Sequence, residues 1–177
     1  MEKLPTEAKN LFSVMLALQD VTGNQKKESA FISQLVVTSV VLLDPRDVDG
    51  IKISLLFETN NGRSVEIEFI GQKAIRLMVL IVMSTNKKYG NPADGFKDDI
   101  VKKLEGMLAS SYNVKLEHSR NTDLRKSINR TLNQQIGVKE LIRNLAARNR
   151  ASVWALAVAT DQISIPNIDD RKALSDI

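Results

Sequence analysis

The chain has 177 residues, 43% of them hydrophobic and 26% charged, with a net charge of +4 and no cysteine. That size and balance fit one ordinary domain, or a small domain with an appendage. The lack of thiols excludes disulfides, thiolate catalysis and thiolate metal ligation.

Residues 5–20 are expected to be helical, because Pro5 suits a first turn and Ala8, Leu11, Phe12, Met15 and Leu16 recur at helical spacing. Residues 28–43 form a second apolar segment. Its length favours a helix, although Val36-Val37 and Val40-Val41 would also suit a strand. Residues 1–50 are thus taken as an N-terminal helical segment; the apolar surplus of residues 1–43 suits self-association into a homodimer, or equally a wrap that extends the core.

After the break at residues 44–50, Ile51, Ile53, Leu55 and Phe57 alternate with mostly polar residues, and so do Val65, Ile67 and Phe69. With Asn61-Gly62 between them, these runs predict a β-hairpin with one buried face. Residues 73–84 are apolar nearly all round, which predicts a central buried helix. Phe96, Ile100, Val101, Leu104, Met107 and Leu108 predict the packed stripe of a helix over residues 94–110, with Asp98 and Asp99 in its favoured first turn. A further helix is expected over residues 122–136, with Asn121 or Thr122 as N-cap and Gly137 just past its end. Residues 138–147 are ambiguous. Residues 151–159 and 162–165 read as a closing hairpin turning at Thr160-Asp161, and residues 166–177 as a polar tail. The most apolar run, residues 74–83, is broken by Arg76 and is about half the length a bilayer span requires. Met1–Pro5 leads into no signal-peptide apolar region. No membrane partner and a cytoplasmic location are therefore expected.

The positive charge is concentrated. Residues 115–150 hold nine Lys and Arg against three acids, a net of +6, so the remainder is slightly negative. At 100° per residue, Leu124, Ile128, Leu132 and Ile136 fall within about 120° of one another, and Lys126, Asn129, Arg130 and Asn133 lie between about 140° and 240°. Arg125 sits on the flank, and no carboxylate follows Asp123 within the helix. Arg pairs bidentately with guanine edges, Asn and Gln with adenine, and Lys or flanking Arg neutralises phosphates. Arg125, Lys126, Asn129, Arg130, Asn133, Arg148 and Arg150 are therefore the candidate contacts with double-stranded DNA. The bland alternative is a solvated helix face.

Three helices flanked by small sheets suit an α+β winged helix-turn-helix over residues 51–165. The run from Val65 to Ile165 resembles the winged-helix output domain of bacterial transcription factors, including response regulators and activators of antibiotic clusters. The likeness rests on Ile67-Glu68-Phe69-Ile70-Gly71 leading into Ala74-Ile75-Arg76-Leu77. It rests also on Leu124-Arg125-Lys126-Ser127-Ile128-Asn129-Arg130, similar to a recognition-helix pattern, and on Val153-Trp154-Ala155-Leu156 in place of the last strand. The resemblance implies DNA-binding transcription regulation. Arg148-Asn149-Arg150 stands where a glycine-rich wing turn is usual, and residues 1–50 lack the alternating strand–helix pattern expected of a receiver domain.

Nothing points to an enzyme, a cofactor or a metal. His118 is the only histidine. Glu66 and Glu68 alternate with apolar residues, as a solvated strand face does. Gly71 and Gly90 belong to no phosphate-binding motif. Asn129-Arg130-Thr131 matches a glycosylation acceptor without a secretion route, and Trp154 reads as core. The alternative to DNA binding is a non-enzymatic protein–protein interaction module on the same scaffold.

Overall fold

A computed structural model of the protein describes residues 29–42, 50–112, 115–116 and 121–177. The helix expected over residues 5–20 lies outside the described residues, and so does His118. Mixed α and β structure is found, with four helices and two small sheets among the described residues.

The first sheet joins β1 (Ile32–Leu42), β2 (Ile51–Thr59), β3 (Ser64–Ile70) and the short β7 (Ile163–Ser164) in the order β3-β2-β1-β7. The expected hairpin is β2–β3, in which Ile53 faces Phe69, Leu55 faces Ile67 and Phe57 faces Val65. Gly62 closes it at φ 79, a conformation glycine adopts without steric cost.

Residues 28–43, expected to be helical, instead contain β1. Two register shifts, at Ile32/Gln34 and Val37/Ser39, break the strict alternation that would mark the segment as a strand. Each inserts an extra residue, so the inward side chains are Ile32, Leu35, Val37, Val40 and Leu42, opposite Thr59, Phe57, Leu55, Ile53 and Ile51. Steps of three and two alternate along the strand. The β-branched content of the segment then favours the strand. Because β1 pairs with β2 along its length, the boundary expected at residue 50 falls inside one sheet.

Gly71 leads into α1 (Gln72–Thr85), whose residues from Ala74 to Ser84 are all buried. This central helix packs against β2, β3 and three further elements: α2 (Asp98–Ser111), β6 (Val153–Leu156) and α4 (Ile168–Ser175). The second sheet is antiparallel, with order β4-β6-β5, where β4 is Phe96–Lys97 and β5 is Ile142–Asn144. The helix α3 (Asn121–Ile136) precedes β5 and ends at Gly137, whose φ is 73 and whose N–H donates to the Asn133 carbonyl at 3.0 Å. One contiguous apolar core runs through both sheets and all four helices.

Three further expectations change. The closing hairpin is β5–β6, not residues 151–159 with 162–165. A short 3-10 turn at Thr160–Gln162 carries the chain from one sheet to the other, where β7 pairs parallel to β1. Residues 166–177 are not merely a tail. Asn167 caps α4 by accepting from Asp169 N at 2.8 Å, Leu174 enters the core, and Asp170 Oδ1 accepts from Val40 N at 3.1 Å. On α2, Ile100 and Met107 are 43% and 57% exposed instead of packed. No helix among the described residues is long and apolar enough to cross a membrane.

Candidate nucleic-acid interface

The helix α3 divides cleanly into two sides. Leu124, Ile128, Leu132 and Ile136 are buried in the core, which turns Lys126, Arg130, Asn133, Gln134 and Gln135 out to solvent. Removing four such side chains from water contributes about 1.5–3 kcal/mol each, far more than any exposed pair on the opposite side, so packing sets the helix's rotation. From Arg125 to Gly137 the helix carries three cations and no carboxylate.

Two of the expected contacts differ in character from the rest. Arg125 is half-buried, with its guanidinium 3.8 Å from the Glu140 carboxylate, which also lies 3.6 Å from Arg143. Asn129 is not on the exposed face at all. It is 8% exposed, and its Oδ1 accepts from Leu141 N at 2.9 Å and Ile142 N at 3.0 Å while its Nδ2 donates to the Ile142 carbonyl at 3.0 Å. The amide therefore behaves like an extra strand residue beside β5. It is not presented to solvent, where it could pair with a base edge or serve as a glycosylation acceptor.

Arg148 and Arg150 are exposed on the β5–β6 loop. Leu145 N donates to the Val153 carbonyl at 2.7 Å, and Asn144 Oδ1 accepts from Ala146 N at 3.0 Å and Val153 N at 3.1 Å. Arg150 N then donates to the Ala147 carbonyl at 3.1 Å, with Asn149 between them at φ 65. Asparagine tolerates this left-handed conformation better than most residues. Asn149 thus supplies the positive φ that closes this turn. Residues 145–152 hold two arginines and no acid.

A polar cluster centred on the buried Arg76, Glu105 and Trp154 supports the hairpin, and the sequence gives little sign of it. Arg76 of α1 makes a bidentate pair with Glu105 of α2, with Nη2–Oε2 at 3.3 Å, and its guanidinium lies 5.4 Å from the Trp154 ring centroid. The indole N–H of Trp154 donates to Asp98 Oδ1 at 2.8 Å, and Lys102 Nζ lies 2.8 Å from Asp98 Oδ2. Burial pushes the Glu105 carboxyl above its usual value despite the opposing pull of Arg76. Burial also acts to raise Asp98, but hydrogen bonds from Lys102 and Trp154 and the fields of Lys102 and Arg76 outweigh it and hold the group low. Gly95 completes the mounting. At φ 73 and ψ 179 it lies where a Cβ would meet Val153 Cγ1 at 2.7 Å. Arg76 inside an apolar run was the only signal, and its partner sits 29 residues away.

No cluster of three His, Cys, Asp or Glu suited to a metal occurs among the described residues. No family model, no curated protein and no solved structure matches the chain.

Proposed function

We propose that the protein is a winged-helix regulator that binds duplex DNA, with α3 as the recognition helix and the β5–β6 loop as the wing. The observation that carries this reading is the acid-free, solvent-facing row of Lys126, Arg130 and Asn133 on a helix fixed by its opposite face. The order α1-β4-α2-α3-β5-β6, with the small sheet arranged β4-β6-β5, supports the winged-helix assignment. A helix of this width enters the major groove, where Arg130 and Asn133 reach base edges, while Lys126, Arg148 and Arg150 neutralise phosphates. Asn129 has no part in base readout here, and Arg125, held near Glu140, is a flanking contact at most. Regulation of transcription, as the resemblance implies, is part of the same proposal.

Fluorescence anisotropy with labelled duplexes of random sequence tests it. Lys126→Ala with Arg130→Ala should weaken binding at least tenfold at low salt, and wild-type binding that survives both changes would overturn the proposal. A second reading, an interaction module on the same scaffold, is favoured by the exposed Ile100 and Met107 on α2. Under that reading the same double variant would leave every interaction intact.

A further inference from the structure

We infer that Asn129, seconded by Asn144, is a positioning residue that fixes the hairpin loop relative to α3, so that both engage one duplex together. The inference rests on the DNA-binding reading.

The hydrogen-bond pattern carries it. Helix and hairpin are joined by only four residues, from Gly137 to Glu140, before the chain reaches Leu141. At that point Asn129 takes both successive backbone N–H groups, of Leu141 and Ile142, and returns a donor to the Ile142 carbonyl. Three bonds from one rigid amide set the distance and the rotation of the strand start. Asn129 is the immediate neighbour of Arg130, so the anchor sits one residue from the centre of the exposed face. Two residues beyond Ile142, Asn144 clamps the other end of β5. Its Oδ1 takes the N–H groups of Ala146 and Val153, and its Nδ2 lies 3.3 Å from Ser152 Oγ. The loop bearing Arg148 and Arg150 therefore departs from a strand held at both ends by asparagine side chains. Phosphates repeat at fixed spacing along a duplex. A loop that pivots freely would meet them at the cost of the helix contacts, and a fixed one meets them simultaneously.

The salt dependence of duplex binding counts simultaneous phosphate contacts, at about 0.9 in slope per contact. A fall in fold stability alone leaves that slope unchanged while the protein is folded. The expected result is that Asn129→Ala, which removes all three bonds without adding a charge, lowers the slope by about 1.8, the share of two arginines. Combining it with Arg148→Ala and Arg150→Ala should lower the slope no further. Folding of each variant is read from Trp154 fluorescence in denaturant. Asn144→Ala, at an exposed position, should give the same slope loss if Asn129→Ala does not fold. A folded variant at either position that keeps the wild-type slope, or a loss that adds to that of the arginine variants, overturns the inference. Wild-type protein with no salt-dependent binding would overturn the DNA reading itself.

Discussion

Removing Glu105 should cost more than any surface substitution, and the structure sets the size of the effect. The side chains of Arg76 and Glu105 are 0% and 5% exposed. An exposed ion pair contributes at most about 1 kcal/mol. Deleting one partner of a buried pair instead leaves a charge without its counter-ion and costs about 3–5 kcal/mol. The Trp154 ring, 5.4 Å from the guanidinium, offsets at most about 2 kcal/mol of that, and already does so in the wild type. Glu105→Ala should therefore lower the unfolding free energy by about 3–5 kcal/mol. For a chain of this length that corresponds to a drop in Tm of roughly 6–20 °C. Replacing both partners, as Arg76→Met with Glu105→Leu, should be close to neutral, because the desolvation cost of the charges disappears with them. Trp154 is the only tryptophan and lies against the pair, so urea titration followed by its fluorescence reads both variants. A single variant losing under 1 kcal/mol, or a double variant losing as much as the single, would refute the reasoning.

Gly95→Ala should destabilise by roughly 1–3 kcal/mol from backbone strain, since φ 73 with ψ 179 belongs almost only to glycine, and further through overlap with Val153. A thermal melt within 2 °C of wild type would contradict that. The lowered Asp98 carboxyl makes stability depend on pH. The Asp98 contribution is full above its ordinary 3.8 and is lost as pH falls through its lower folded value. Denaturant midpoints between pH 3 and 6 should therefore show Asp98→Asn least stable relative to wild type above pH 4, with the gap closing in acid. A gap that stays constant across that range would count against the Asp98 assignment.

What could be read from the sequence follows from how local each signal was. The β2–β3 hairpin was legible because apolar residues hold every second position over Ile51–Phe57 and Val65–Phe69, on either side of Gly62. The central helix was legible because residues 73–84 are too uniformly apolar to face water. β1 was not, because its two bulges turn a period of two into steps of three and two. β7 was not, because its partner is β1, more than a hundred residues earlier, and periodicity carries no information on such pairing. α4 was hidden by a polar composition in which Asp170 and Leu174 alone are buried. The candidate interface divides in the same way. Lys126, Arg130 and Asn133 are exposed as the spacing of 100° per residue implies, because Leu124, Ile128, Leu132 and Ile136 fix the rotation of the helix. Asn129 lies at about 140°, just past that apolar sector, and only the arrival of Leu141 and Ile142 beside it makes the position internal. Arg148 and Arg150 are exposed as expected, although the hairpin that carries them uses a different pair of strands.

The measurement that tests duplex binding most directly is the affinity for random duplex DNA as a function of salt, from about 50 to 200 mM. Four free cations, Lys126, Arg130, Arg148 and Arg150, should give a slope of log K against log salt near −3.6, from about 0.9 per phosphate contact. Lys126→Ala with Arg130→Ala should reduce that to about −1.8. A slope near zero, or no binding at the lowest salt, would contradict the assignment of this face to nucleic acid.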